Sequence, residues 1–435
     1  MHIFFHEGST MQDRFISTIG EGQRDPLLAT LRESHQYNVV IHSVDGRELI
    51  DSKGKKLLDF ASCNYIGFDQ DQEALLAEGV KAAREFGIHT SRARLMGYHT
   101  LFSNLEEKLA HFMGGEEALL FPNTTLASIG IIPALMRHGD LIILDKAAHA
   151  TMYQASQVAR DKGALLKSYE NEDFDSLKNI LEEHRSAPRK MVCVDGVYSM
   201  TGDYANLPKL LPIIRKHNAL LYIDDAHGFG FIGENPTPQM PYGFRGNGVI
   251  NHYGCQKDDP ILYVAGTAKG LAAASAFALV TPKMKEFLMA YAKPLDYTHP
   301  STPFALGILN AALDLLPKVG EERRLKVFQM THTLVEGLRQ MGFYVMTKTL
   351  FPIISVWVGE TDRLLEASRK LYNKGIFLTS CPYPTMPRGK EALRLTITSS
   401  NKPEHIDALL DAFQSIALDW RSIGAPFHPM DLEGS

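Results

Sequence analysis

Lys269 stands in Tyr263-Val264-Ala265-Gly266-Thr267-Ala268-Lys269-Gly270, a small-residue turn after an apolar run, downstream of Asp224-Asp225-Ala226-His227. Gly266, Gly270, Leu271 and Ala272 to Ala274 surround this amine with small, apolar neighbours. Such surroundings lower an amine's pKa and favour the neutral, nucleophilic form that condenses with an aldehyde. A carboxylate at a strand end can hold a pyridine nitrogen protonated, so that the ring takes up electrons. Taken singly, the lysine would be a solvated loop residue and Asp224 a helix cap. Together they meet the needs of pyridoxal 5'-phosphate (PLP) chemistry.

Other residue types fall into the same pattern. His227 is placed to reach the phenolic oxygen of the same ring, and Ala226 is small enough for the ring to lie against it. His149, in Leu144-Asp145-Lys146-Ala147-Ala148-His149-Ala150, offers a flat imidazole that suits stacking on the opposite ring face. Ser199 could donate to the ring oxygen or be a turn serine. Thr124 and Thr125 open a helix and can offer N–H groups and hydroxyls to a phosphate, or one of them can be a plain N-cap. Arg394 lies inside the otherwise apolar Leu393-Arg394-Leu395-Thr396-Ile397-Thr398. A buried arginine needs an anionic partner, and a substrate carboxylate would satisfy it bidentately.

The elements that must position these groups are legible as alternating patterns. Leu119 to Phe121, Leu141 to Leu144, Met191 to Val194, Leu220 to Ile223 and Ile261 to Val264 read as buried strands. Segments such as Ser128 to Arg137 and Leu207 to His217 between them have helical spacing. The expected fold is therefore α/β: a large, mostly parallel sheet covered by helices on both faces. Ligands bind such sheets beyond the carboxyl ends of the strands. The candidate residues follow those ends directly. The expected organisation is an extension over 1–56, a large domain over 57–300 and a smaller C-terminal α/β domain over 301–435. Glu48 to Leu57 suggests a hairpin turned at Gly54, and the Pro- and Gly-containing Gly233 to Gly248 a long loop.

Composition excludes several other classes. The chain has 435 residues, 45% of them hydrophobic, and a formal net charge of −5, which argues against a nucleic-acid surface. Its four cysteines, Cys63, Cys193, Cys255 and Cys381, lie far apart and suggest neither zinc nor a disulfide framework. No signal peptide and no membrane span are expected, so a cytoplasmic protein is. No Walker or G-x-G-x-x-G loop is present.

Five segments, in order, resemble the α-oxoamine synthases, PLP enzymes of fold type I. They are Asp59-Phe60-Ala61-Ser62-Cys63-Asn64-Tyr65-Ile66-Gly67-Phe68, Ala148-His149-Ala150, Gly196-Val197-Tyr198-Ser199-Met200 with Gly202-Asp203, Asp224 to Gly230, and Leu393-Arg394-Leu395-Thr396. That family includes 8-amino-7-oxononanoate synthase, 2-amino-3-ketobutyrate CoA ligase, 5-aminolevulinate synthase and serine palmitoyltransferase. The resemblance implies a homodimer with interfacial active sites. It implies Lys269 as the lysine that holds PLP and carries protons, His149 stacked on the ring and Asp224 on its nitrogen. His227 and Ser199 would contact the ring oxygen, Asn64 would lie near the substrate, and Arg394 would bind the amino-acid carboxylate. The chain departs from the family pattern at Gly266, where a threonine is usual, so that Thr267 stands one residue nearer the lysine as the hydroxyl for the phosphate. It also departs at Gly87 to Gly97, at Phe102, at Asn123-Thr124-Thr125 and in the long 233–254 loop.

The implied reaction is a decarboxylative condensation of a small α-amino acid with an acyl thioester, of coenzyme A or of an acyl carrier protein, giving an α-amino ketone. An aminotransferase or aldolase-type enzyme of the same fold is the alternative, since a fold does not fix a reaction. A non-catalytic partner subunit is the third reading, and the pairing of Lys269 with Asp224 argues against it.

Overall fold

The structure, a computed structural model, describes residues 10–12 and 26–432. Strands β1 (Ile41–Asp45), β2 (Glu48–Asp51) and β3 (Lys56–Asp59) form an antiparallel ribbon. The β2–β3 turn contains Gly54 at φ +81°, a left-handed conformation that glycine adopts without strain. The ribbon continues into a C-terminal strand, β12 (Ile376–Phe377), which pairs with β3 in parallel.

The large sheet has seven strands, β4 (Glu117–Phe121), β5 (Leu141–Asp145), β6 (Leu165–Tyr169), β7 (Lys190–Asp195), β8 (Leu220–Asp224), β9 (Ile261–Gly266) and β10 (Ala276–Val280). Their order is β4-β10-β9-β8-β7-β5-β6. The pairs from β6 to β9 are all parallel, and β10 alone runs against its neighbours β4 and β9. The strands read as unbroken apolar runs because both faces are covered. Ile143, Val192, Val194, Ile223 and Ala265 face one core, and Ile142, Leu144, Cys193, Tyr222 and Val264 face the other. Each valine, leucine or isoleucine among them contributes about 1.5–3 kcal/mol by leaving water. The carboxyl ends of β4, β5, β7, β8 and β9 consequently share one edge.

Strands β6 and β10 carry no clear sequence signal. β6 is an edge strand with Leu165 43% exposed beside Lys167 and Ser168, and β10 alternates small and large residues in Ala276-Phe277-Ala278.

The C-terminal sheet, in the order β11 (Ile353–Gly359), β14 (Glu391–Thr396), β13 (Thr379–Cys381), is antiparallel. It is fastened to the loops of the large sheet and to the segment that follows β3. Ser355 Oγ donates to the Met200 carbonyl, the N–H groups of Lys348 and Thr349 donate to Asp203 Oδ1 at 2.8 and 3.1 Å, and Thr396 N donates to Phe60 O at 2.8 Å. Arg394, on the middle strand of this sheet, is thereby held above the carboxyl edge of the large one.

The 233–248 loop is not a loose flap. Gly233 N donates to Tyr242 O at 2.8 Å, and Arg245 N donates to Glu321 Oε1 at 3.0 Å. The ring of buried Tyr242 lies tilted with its centroid 4.7 Å from that of Phe231, whose ring lies 5.3 Å from Tyr65.

Candidate active site

Lys269 lies in the loop between β9 and β10, which is closed by Thr267. The Thr267 hydroxyl donates to Ala273 O at 2.6 Å and Ser275 O at 2.9 Å, so its one proton is used within the loop. The loop packs backbone to backbone on the one that carries His227. A Cβ on Gly270 would lie 2.2 Å from Phe229 O, so only glycine permits the approach. Lys269 Nζ lies 2.7 Å from His227 Nε2, and His227 Nδ1 lies 2.6 Å from the Tyr65 hydroxyl. Burial holds the Lys269 amine below its usual range, against the opposing pull of Cys63 and Asp224. Burial, and then the charge of Lys269, hold the His227 imidazole well below the usual range, so it is neutral. Tyr65 stays protonated because burial pushes its phenol far up. A charged amine requires the Nδ1–H tautomer of His227. A neutral amine can accept from Nε2–H, with Tyr65 then donating to Nδ1.

Asp224 ends β8 and is 4% exposed. Its Oδ1 accepts from Ala226 N at 3.1 Å; among the described residues nothing else donates to this carboxylate. Burial pushes the carboxyl up to about 6, with the Lys269 charge and the Ala226 N–H pulling the other way. Its neighbour Asp225 points to the opposite side of the strand. It accepts from Tyr263 Oη at 2.7 Å, Val249 N at 2.8 Å and Gly228 N at 3.1 Å, and so anchors the loop beyond His227. The alternation of a strand separates a cavity carboxylate from a structural one.

His149 caps the helix Ala150–Arg160. Its ring Nδ1 lies 2.9 Å from Thr151 Oγ1 and its backbone N–H donates to Asp195 Oδ1 at 2.9 Å. Burial, with Lys269 nearby, keeps the ring below its usual range. Thr124 begins the helix Thr124–Leu135, whose N-cap is Asn123: its Oδ1 accepts from Leu126 N at 2.8 Å. The N–H groups of Thr124 and Thr125 make no hydrogen bond among the described residues and point outward from the helix start. Gly266 leaves room here, since a Cβ would lie 3.2 Å from Thr124 Cγ2 and 3.5 Å from Ala226 Cβ.

Thr124, His149, Asp224, Ala226, His227 and Lys269 line one cavity. Three further expected residues take other positions. Ser199 is joined to Arg394 through its carbonyl, which accepts from Nε at 2.6 Å. Asn64 is engaged in its own turn, with Nδ2 donating to Asp69 Oδ1 at 2.8 Å and Oδ1 accepting from Phe68 N. Arg394 is 8% exposed and reaches Cys63 Sγ at 3.6 Å through Nη2. Asp195 and Tyr65 were not singled out by the sequence reading. Asp195 lines the cavity, pairs in register with Asp224 across β7 and β8, and has its carboxyl pushed far up by burial and by that neighbour. The signal was available, because Asp195 ends β7 as Asp224 ends β8.

A model of the class I and II aminotransferases matches residues 55–413. The 8-amino-7-oxononanoate synthase of Stutzerimonas stutzeri (strain A1501) is 32% identical, over 88% of this chain and 94% of that one. The enzyme of the same name from Saccharophagus degradans is 31% identical, over 85% and 89%. Among solved structures, Sphingomonas wittichii serine palmitoyltransferase superposes with a TM-score of 0.83 at 27% identity, covering 96% of this chain and all of that one. Serine palmitoyltransferase from S. paucimobilis, with a bound PLP–myriocin adduct, gives 0.83 at 25% identity and 96% coverage.

Proposed function

Because the chain belongs to the class I and II aminotransferase family, and within it to the PLP-dependent α-oxoamine synthases, we propose that Lys269 and Arg394 serve the condensation of a small α-amino acid with an acyl thioester. The products are an α-amino ketone, the free thiol and carbon dioxide. The observation that carries the reading is the buried Asp224 carboxylate, with an oxygen unused by the protein, in one cavity with a lysine of lowered pKa.

The residues fit PLP. The free N–H groups at the start of the Thr124–Leu135 helix suit its phosphate, Asp224 its ring nitrogen, His227 its ring oxygen, His149 and Ala226 its two faces, and Lys269 its aldehyde. When bound, PLP supplies an aldehyde for the amino group and a cationic ring that accepts the electron pair left at Cα. Arg394 receives the amino acid's carboxylate and fixes Cα near Lys269. The neutral Lys269 amine takes the Cα proton, and burial favours that form. Asp224 stays ionised against the ring cation, which offsets the cost of its burial. His227 holds its tautomer through Tyr65. Asn64 orders the turn that carries Cys63 and Tyr65. Thr267 shapes the loop that presents Lys269, and the Ser199 carbonyl aims the guanidinium.

Ile88, Met96 and Tyr297 are 83%, 76% and 74% exposed, and the turn at Arg94–Met96 lies against the short helix Pro294–Tyr297. An apolar patch of this kind supports a homodimer, which we assign to a cytoplasmic enzyme. Sedimentation of the purified protein as a monomer would remove that part.

Thiol release by the PLP-loaded protein, with small amino acids crossed against acyl-CoA chain lengths, tests the reaction. Release that requires both substrates is expected. Keto-acid formation without thiol release would overturn the reading in favour of transamination. Tyr65→Phe should weaken PLP binding roughly tenfold while leaving the fold intact. A buried imidazole nitrogen left without its partner costs about 1–3 kcal/mol, and titration of the visible absorbance of bound PLP measures the loss.

A further inference from the structure

Arg394 presents a restricted edge. Its Nε donates to the Ser199 carbonyl at 2.6 Å, which leaves the Nη1–Nη2 edge to receive a carboxylate. Nη1 makes no hydrogen bond among the described residues, whereas Nη2 lies 3.6 Å from the sulfur of Cys63. The backbone that carries that sulfur is fixed. The turn beneath it is pinned by Ala61 N and Ser62 N donating to Asp59 Oδ1 at 2.8 and 3.1 Å, and by Tyr65 N donating to Cys63 O at 2.9 Å. A two-pronged carboxylate and the Cys63 sulfur therefore claim the same arm of one guanidinium.

The charged and titratable groups around Cys63 act in one direction. Burial raises its thiol pKa, but Arg394 from β14 and Lys269 from the β9–β10 loop, with the Tyr65 hydroxyl from its own turn, outweigh burial and lower it. Cys381, on β13 near Arg394, is held protonated, its thiol pushed up to about 12 by burial, and does not compete.

We propose that Cys63 is the resting partner of Arg394 and competes with the amino-acid carboxylate for its Nη2 arm, so that Cys63 tunes affinity for the amino acid and not for the acyl thioester. This rests on the reading that Arg394 receives the carboxylate. Cys63 is a positioning residue, acting through the guanidinium. The thiolate competes more strongly than the thiol, and Arg394 and Lys269 bring ionisation below the usual cysteine value of about 8.5, so the competition grows as pH rises toward that value from below.

The experiment compares PLP-loaded wild type, Cys63→Ala and Cys63→Ser. In the wild type, KM for the amino acid should rise at least about threefold between pH 6 and 8.5, a window that extends below the usual cysteine value because the thiol is lowered, as expected for a charge-assisted contact of about 1 kcal/mol. Both variants should lose that rise, because neither side chain ionises, and KM for the acyl thioester should not move. The second readout is alkylation of Cys63 by iodoacetamide, followed by mass spectrometry of the peptide. The amino acid should slow it, and the matching amine without a carboxylate should not. A rise in KM that persists in Cys63→Ala, or equal protection by amino acid and amine, overturns the proposal. Arg394→Gln separates the two levels. Unchanged KM for the amino acid in that variant overturns the assignment of the carboxylate to Arg394. Raised KM there, with no effect of Cys63→Ala, overturns the role of Cys63 alone.

Discussion

Lys269→Ala lowers turnover by at least about 10⁴-fold, the upper range for loss of a proton-transfer group, and removes the visible absorbance of covalently held PLP. The effect is large because no neighbour can replace the amine. His227, the group nearest to Nζ at 2.7 Å, is a neutral imidazole held well below its usual pKa, and Tyr65 is a phenol held far above its own. Neither can form an imine with an aldehyde, and an imidazole of so low a pKa is a weak base for a Cα proton. The fold survives, because the loop that carries Lys269 is closed by Thr267 and by the Gly270 backbone contact. Lys269→Arg should fare no better, since a guanidinium stays protonated. Turnover in either variant within tenfold of wild type would remove Lys269 from the reaction.

Asp224→Asn should cost about 10²–10³-fold in turnover, the range for loss of one preorganised electrostatic partner. Asparagine keeps the shape and the hydrogen bond from Ala226, but it cannot hold a ring nitrogen protonated. The substitution has a second, independent signature in the protein without PLP. The Asp224 carboxyl is raised from 3.8 to about 6, so between those values the folded chain binds a proton that the unfolded chain has released. Stability is therefore fully present below the lower value and is lost as pH rises toward the upper one, by on the order of 3 kcal/mol. Asp225 shifts in the same direction, also to about 6. Asp195, Asp145 and Asp203 are raised as well, so thermal unfolding of the PLP-free protein between pH 4 and 6 should show a falling Tm, with a part of the slope removed in Asp224→Asn. PLP, by placing a cation beside Asp224, should flatten the slope in the wild type. An unaltered slope in Asp224→Asn would show that this carboxyl does not carry the shift.

Much of this was legible in the chain because a parallel sheet turns order along the sequence into position in space. Each apolar run is buried on both faces, so it must be a strand. All parallel strands end at one edge, so the residues after them converge whatever the intervening helices contain. Lys269, Asp224, His149, His227 and Thr124 were found in this way, and all five line one cavity. Strand β6 was not, because an exposed edge strand lacks the apolar run, and β10 is antiparallel and built on alternating alanines.

What only the tertiary structure decided is which polar atom of each residue remains available. The sequence places Ser199 and Arg394 at two points of a site, but 195 positions separate them, and it is the Ser199 carbonyl that meets the guanidinium. Thr267 stands beside the lysine in sequence, yet its proton goes to the carbonyls of Ala273 and Ser275. Tyr65 is 162 positions from His227 and controls its tautomer. The Cys63 sulfur and the Arg394 arm meet across 331 positions. Local pattern fixes where an element ends, because burial and periodicity act over a few residues. The use of each donor and acceptor depends on which distant segment packs there, and that is settled only when the two sheets close on each other.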